Sequence, residues 1–161
     1  MIQRQPFEVT LMGISNLVIP DEEALPFIEA GHDRVRVEAS FQHRRISFYA
    51  ALRKYRGQYT MMFSKNKQKE LDLLPGDVFT LQLHEDTSKY GVEVPEEFEA
   101  VMLSDYGAYQ VFESFTKGKQ RGIIYSIVKF KDSQRRIDKT LLLCENLKRG
   151  IRDNKELLKP L

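Results

Sequence analysis

The sequence predicts an α+β protein in which a small duplicated β-barrel with short helices precedes a subdomain of three to four short helices. Three observations lead to this fold class. Residues 7–85 alternate between apolar and polar side chains, one order of elements occurs twice in that region, and the residues after Pro95 show helical spacing. A chain of 161 residues fits one average domain or two small ones, and it can form a core without metal or disulfides.

The first half contains strands whose alternate side chains face a core. In one of them Val35, Val37 and Ala39 alternate with Arg36 and Glu38. Because successive side chains of a strand point to opposite faces, one face is buried and the other is exposed. This pattern favours antiparallel or barrel pairing over a buried parallel sheet. The same alternation predicts strands at 7–13, 17–19, 46–52 and 59–63, and from Arg34 and Val78.

The order of these elements occurs twice. In each copy two strands lead to a short helix, at about 22–30 or 65–73, then to a glycine turn and a further strand. The two glycines, Gly31 and Gly76, are 45 residues apart. A repeat near this length indicates duplicated units that bury their apolar faces against each other. Pro26 removes a backbone hydrogen bond past the first turn of the first helix, which leaves open a helix start near Pro26.

The second half is predicted to be helical. Residues 87–94 have no periodicity and form a predicted connector between a barrel domain at 1–86 and a helical segment at 95–161. The predicted helices run from Pro95 to about Leu103, from a cap at Ser104 or Asp105, over roughly 118–131, and from Asp132 or Ser133 to a stop at Gly150.

Three stretches of the chain carry a family resemblance. They are Leu74-Pro75-Gly76-Asp77-Val78 with Glu85-Asp86 after its strand, Val94-Pro95-Glu96-Glu97-Phe98, and the helical run with Phe112–Phe115, Arg121, Lys129–Lys131 and Arg135–Lys139. Their combination resembles a family of bacterial and archaeal proteins that join a small β-barrel domain of unknown function to a YdeI/OmpD-associated helical segment.

The resemblance implies that the first part is similar to the double-split β-barrel of AbrB-like proteins. In AbrB-like transcription factors and antitoxins, two chains swap hairpins to build one barrel and bind DNA. Here the duplication would supply both halves from one chain. The resemblance implies no established activity and no catalytic residue.

No catalytic, metal or cofactor site is predicted. His32, His43 and His84 are far apart in the sequence, and Cys144 has no CxxC partner. Cys144 lies in an apolar helical stripe and is expected to be a small core residue. The sequence contains neither a Walker loop nor a GxGxxG motif. An enzyme would need a cavity in which a histidine and carboxylates converge.

The sequence also indicates where in the cell the protein is located. No run approaches the roughly 18 apolar residues of a membrane span, no signal peptide is visible, and one cysteine suits a reducing cytosol, so a cytoplasmic location is expected.

The net charge of +2 is too small to indicate a nucleic-acid partner by itself. However, residues 93–116 hold six acids and no Lys or Arg, whereas residues 117–161 hold 13 bases and 5 acids. These segments either pack against each other or leave a basic surface.

Two groups of cationic residues are candidate binding sites. The first group is Arg44, Arg45, Arg53, Lys54 and Arg56, interleaved with Phe48, Tyr49, Tyr55 and Tyr59. Cations neutralise phosphates and aromatic rings stack on bases, so this group is suited to single-stranded nucleic acid. The alternative is a hairpin loop at Tyr55-Arg56-Gly57 with charges that protect sheet edges.

The second group lies in the predicted helices. It consists of Arg121, Lys129, Lys131, Arg135, Arg136 and Lys139. Arg135 and Lys139 are four residues apart and share a helix face, and arginine binds phosphate or carboxylate in bidentate fashion. The alternative is internal pairing of these residues with Glu96, Glu97, Glu99 and Glu113.

The favoured function is a non-catalytic binding protein that engages an acidic partner, such as nucleic acid or an acidic protein, through basic surfaces. The alternative is a protein-interaction or stress-related module that binds a protein or small ligand between the barrel and the helices. Both a monomer and a homodimer are compatible with the sequence.

Overall fold

The computed structural model describes residues 1–160 and shows a chain of two compact units, Met1–Gly91 and Val92–Leu161. Strands occur in the N-terminal unit together with two helices, and the C-terminal unit contains four helices. This arrangement confirms the predicted α+β class. The predicted connector at 87–94 spans the division between the units. The last residue of the predicted helical segment, Leu161, lies outside the described residues.

Two antiparallel sheets make up the N-terminal unit. One has four strands in the order β1-β7-β3-β4, and the other has three in the order β2-β6-β5. The elements are β1 (Phe7–Thr10), β2 (Asn16–Ile19), α1 (Asp21–Glu29), β3 (Arg34–Phe41), β4 (Arg44–Ala51), β5 (Arg53–Tyr55), β6 (Gln58–Met62), α2 (Lys65–Glu70) and β7 (Val78–Glu85). Antiparallel pairing was expected from the alternation and is confirmed. Closure of the two sheets into one barrel stays a prediction.

The strand pairings are unchanged when the two repeats are exchanged. The repeats are β1–β2–α1–β3 and β4–β6–α2–β7. In this exchange β1 corresponds to β4, β2 to β6 and β3 to β7. The β1–β7 pair then becomes the β4–β3 pair, and the β3–β7 and β2–β6 pairs are retained. Gly31 and Gly76 precede the last strand of each repeat with φ of +87° and +92°, a region that glycine adopts without a Cβ clash. The one described strand without a counterpart is β5.

The core of the N-terminal unit is formed by the inward faces of its strands. Val35, Val37 and Ala39 of β3 are completely buried, as the alternation predicts. The Phe63 ring stacks on Phe79 with centroids 5.3 Å apart. Buried residues of both repeats belong to one apolar cluster, which contains Val35 and Val37 of the first repeat and Phe63 and Phe79 of the second.

Helix α1 begins at Asp21 and continues through Pro26, so a start near Pro26 is wrong. A proline at position 26 has no N–H to offer to the carbonyl of Glu22, four residues earlier. The Arg4 guanidinium replaces that donor, because its Nη2 donates to the Glu22 carbonyl at 3.0 Å. Its Nε also contacts the Glu23 carboxylate at 3.2 Å. A contact from outside the helix therefore compensates for the proline.

The C-terminal unit is built from α3 (Glu96–Leu103), α4 (Tyr106–Glu113), α5 (Lys117–Val128) and α6 (Ser133–Lys148). Asp105 caps α4 by accepting a hydrogen bond from the Ala108 N–H, and Asp132 caps α6 by accepting one from the Arg135 N–H. Both lie at predicted cap positions. None of the helices in the described part of the chain has both the length and the apolar character needed to cross a membrane.

We expect Phe63→Ala to lower the free energy of unfolding of the N-terminal unit by about 3–5 kcal/mol, because it removes a ring from the shared core. Hydrogen exchange in peptides from β3 and β7 along a urea series measures this loss. The matched control is Met62→Ala, at a side chain that is 69% exposed, with an expected change of no more than about 0.5 kcal/mol. Equal losses for both variants would contradict the position of the core.

Candidate functional site

The β5–β6 hairpin presents six consecutive exposed residues, 53–58. Tyr55 and Gln58 are paired across it, so its turn consists of Arg56 and Gly57. Their φ angles are +51° and +79°, which is the pattern of a type I′ turn. Glycine adopts such a φ freely, whereas an arginine there is uncommon. The local sequence therefore forms a tight turn that carries a cation at its tip.

Aromatic rings hold two of the hairpin cations. The Arg56 guanidinium lies 5.2 Å from the centroid of the Tyr55 ring, and the Lys54 ammonium lies 5.5 Å from that of Tyr59. Within residues 1–160, no carboxylate forms an ion pair with Arg53, Lys54 or Arg56. Rings orient these cations but do not neutralise them. Their charge remains available to an anionic ligand.

A groove of about 840 Å³ lies beside the hairpin within the N-terminal unit. This volume is in the range of small-ligand sites, about 300–1,000 Å³. The groove is lined mainly by residues of β1, β2, β5 and β6. Its lining residues are of three kinds: apolar or aromatic (Val9, Met12, Ile14, Leu17, Val18, Pro20, Tyr55), neutral polar (Thr10, Asn16, Gln58, Thr60) and charged (Glu8, Arg53, Lys54).

Hydrogen bonds from α2 fix the loop that supplies part of this apolar lining. The Lys65 ammonium donates to the Gly13 carbonyl at 2.7 Å, and the Gln68 amide donates to the Ile14 carbonyl at 3.0 Å. In this loop Met12 is 73% exposed and Ile14 is 57% exposed. Large apolar side chains held in water beside a concave surface are typical of binding sites.

The structure divides the first predicted group of cations. Arg53, Lys54, Arg56 and Tyr59 belong to the hairpin. Arg44 and Arg45 begin β4, a strand of eight residues that spans roughly 25 Å, so they lie at its far end. There the Arg44 guanidinium donates to the Glu70 carbonyl at 3.3 Å.

The second predicted group is also divided. The Arg136 guanidinium contacts the Glu97 carboxylate at 3.6 Å and donates to the carbonyls of Val128 and Phe130. For Arg136, therefore, internal pairing is observed. Arg135 and Lys139 instead lie over the Phe130 ring, at 5.0 and 5.6 Å from its centroid.

The remaining members of this helical group have different surroundings. Lys131 is exposed between α5 and α6, Lys129 is exposed directly after α5, and Arg121 is half-buried on α5. The helical group therefore does not form a set of equivalent free cations.

Two of the three histidines pair with separate carboxylates. His84 Nε2 lies 3.5 Å from Glu38, and His32 Nε2 lies 3.8 Å from Glu85. The pKa of Glu38 lies below its ordinary value, mainly because the Arg36 guanidinium donates a hydrogen bond to it. In the described residues, no group of three or more His, Cys, Asp and Glu side chains could hold a metal ion.

An ion-pair cluster joins two helices of the C-terminal unit. The Lys148 ammonium lies 2.8 Å from the Asp105 carboxylate and 3.0 Å from Glu145. The hydrogen bond from Lys148 lowers the pKa of Asp105, and these two carboxylates raise the pKa of Lys148. Cys144 is buried nearby, and burial raises the pKa of its thiol to about 12. This environment suits the predicted core role of Cys144.

One part of the chain is similar to a known protein family. Residues 91–150 match the protein family described as "Bacteriocin-protection, YdeI or OmpD-Associated". The match confirms the predicted YdeI/OmpD-associated character of the C-terminal segment. No curated protein matches the chain, and no solved structure matches it. The AbrB-like character of the N-terminal unit therefore remains a prediction.

We expect Cys144 to react with iodoacetamide at pH 8 about 10³-fold more slowly in the folded protein than in urea, because the raised pKa leaves little thiolate. The rate of alkylation, followed by mass spectrometry, measures this difference. Since Cys144 is the one cysteine of the chain, the signal is unambiguous. Equal rates in both states would contradict its burial.

We expect the charge of Asp105 to stabilise the C-terminal unit in a pH-dependent way. Because its pKa is lowered in the folded state, this stabilisation is fully present above the unfolded-state pKa of about 3.9 and is lost as the pH falls through the folded-state pKa. Asp105→Asn keeps a good helix cap but removes the charge. The difference in unfolding free energy between the two proteins should therefore shrink below about pH 4. A difference that is independent of pH would rule out this role, and Asp138→Asn is the exposed control.

Proposed function

We propose that the protein is a non-catalytic binding protein that engages an acidic partner, a nucleic acid or an acidic protein, through the β5–β6 hairpin. The observation that carries this proposal is the set of three exposed cations, Arg53, Lys54 and Arg56, which have no carboxylate partner among the described residues. Exposed Tyr55 adds an aromatic surface beside them.

The repeat relationship supports a role for the hairpin beyond folding. Strand β5 is absent from the first repeat, and its three residues are all exposed, so it adds little to the core. Charges on an edge strand can also serve to prevent aggregation. Protection against aggregation requires neither a 61% exposed tyrosine nor an arginine at positive φ. A binding role therefore explains two features of the hairpin that protection of the edge does not explain.

The chemistry of the hairpin supports anion binding. Guanidinium and ammonium groups form charge-assisted hydrogen bonds with phosphate or carboxylate. A polyanion that binds here displaces condensed counterions, so the affinity should fall steeply with salt. The amide and hydroxyl groups of Asn16, Gln58 and Thr60 in the adjacent groove can orient a ligand.

We also propose that the two sheets of the N-terminal unit are halves of one AbrB-like, double-split β-barrel. The support is the exchange of the repeats, which preserves the β1–β7, β3–β4, β3–β7 and β2–β6 pairings. A single apolar core shared by both sheets is a second support. On this proposal the hairpin is an addition to the second half of the barrel.

Replacement of Arg53, Lys54 and Arg56 by alanine should weaken binding of oligothymidylate or polyglutamate at least about 10-fold at low salt and reduce the slope of log K against log salt. Fluorescence anisotropy at several salt concentrations measures both quantities. The control removes three exposed cations elsewhere, with Lys69→Ala, Lys129→Ala and Lys155→Ala, and keeps the same net charge. Equal weakening by both triple variants would show that net charge, and not the hairpin, is responsible.

A further inference from the structure

Strand β1 meets the groove along its backbone edge. Three consecutive residues of β1, from Glu8 to Thr10, line the groove, although consecutive side chains of a strand point to opposite faces. The Leu11 N–H donates to the Asp77 carbonyl on the β7 side at 2.9 Å. Because backbone groups alternate between the two edges of a strand, those of Glu8 and Thr10 face away from β7. No strand pairs with that edge of β1 in the part of the chain that the structure describes.

The same argument applies to β2. The Phe63 N–H donates to the Ser15 carbonyl at 2.7 Å, so the backbone groups of Asn16 and Val18 face away from β6. Strand β5, which also lines the groove, ends the other edge of that sheet. The groove is therefore bordered by three sheet-edge strands. Unpaired strand edges of this kind offer hydrogen bonds to a further strand.

We infer that the groove binds an extended acidic peptide, which adds as a strand to the free edge of β1. This inference rests on the proposed function and names the partner class. The peptide's carboxylates contact Arg53 and Lys54, and its apolar side chains pack on Met12 and Val18. Glu8 is the one carboxylate of the groove lining, so it repels an acid placed next to it and favours acidic residues beside Arg53 and Lys54 instead.

The groove lining favours a peptide over a nucleic acid. Single-stranded nucleic acids are bound by stacking of successive bases on aromatic rings. Tyr55 is the one aromatic residue of the lining, and the apolar surface is otherwise aliphatic, from Met12, Ile14 and Val18. Aliphatic pockets accept the alternate side chains of an added strand, and the strand edges accept its backbone.

Strand addition can be tested on the full chain with a short fluorescein-labelled peptide in which glutamate and valine alternate. Two further probes carry N-methyl groups on all valines or on all glutamates. In an added strand the backbone N–H groups of only one residue type, either valine or glutamate, point toward β1 and form hydrogen bonds with it. One methylated peptide should therefore bind about 10-fold more weakly or worse, and the other should lose less than about 3-fold. Anisotropy at low salt measures the affinities.

A variant of the protein distinguishes binding in the groove from attraction by positive charge alone. Val18→Arg adds a cation but fills the groove, and the 51% exposed side chain can be replaced without loss of the core. It should weaken peptide binding about 10-fold, whereas the control Val18→Thr should change it less than about 2-fold. Circular dichroism verifies that both variants are folded.

Other results overturn the inference in distinguishable ways. Equal affinity for both methylated peptides, together with an unweakened Val18→Arg variant, would rule out strand addition but leave charge binding by the hairpin intact. Binding of oligothymidylate without binding of the peptide would overturn the inference in favour of nucleic acid. Absence of binding to either probe would remove the proposed function as well.

Discussion

The antiparallel pairing of β3 with β7 is the constraint on which the rest of the N-terminal unit depends. These strands hold corresponding places in the two repeats, so their pairing joins the repeats at the centre of the four-stranded sheet. Val37 and Leu83 are register partners and both are completely buried. The central pair leaves β1 and β4 at the edges of the sheet. Strand β4 is followed directly by Leu52 and β5, so the exposed β5–β6 hairpin begins next to an edge strand of the four-stranded sheet.

Edge strands and basic residues occur at the same place in this unit. An open strand edge is a liability, because it can pair with another copy of the same chain. Uncompensated cations such as Arg53 and Lys54 oppose that pairing, since two copies would bring like charges together. On our proposal these charges also attract an acidic chain, so one feature both discourages self-association and selects the partner.

Local signals predicted much of the fold, whereas long-range contacts decided the rest. The alternation in β3 and the caps at Asp105 and Asp132 depend on neighbouring residues, so the sequence alone reveals them. The start of α1 was uncertain because the donor that compensates for Pro26 comes from Arg4, outside the helix. Similarly, only tertiary packing decides that Arg136 pairs with a glutamate. The sequence indicates Arg53, Lys54 and Arg56 as candidate binding residues. It does not indicate the groove, because separate strands line it and no local sequence pattern predicts which strands come together.

Backbone amide chemical shifts of the isotope-labelled full chain, recorded during titration with the alternating glutamate–valine peptide, test the location of the binding site most directly. Our proposals predict that the changes concentrate at Glu8, Thr10, Val18 and residues 53–58. Changes confined to α5 and α6, or spread evenly over all the lysines and arginines, would contradict a site at the β5–β6 hairpin and its groove.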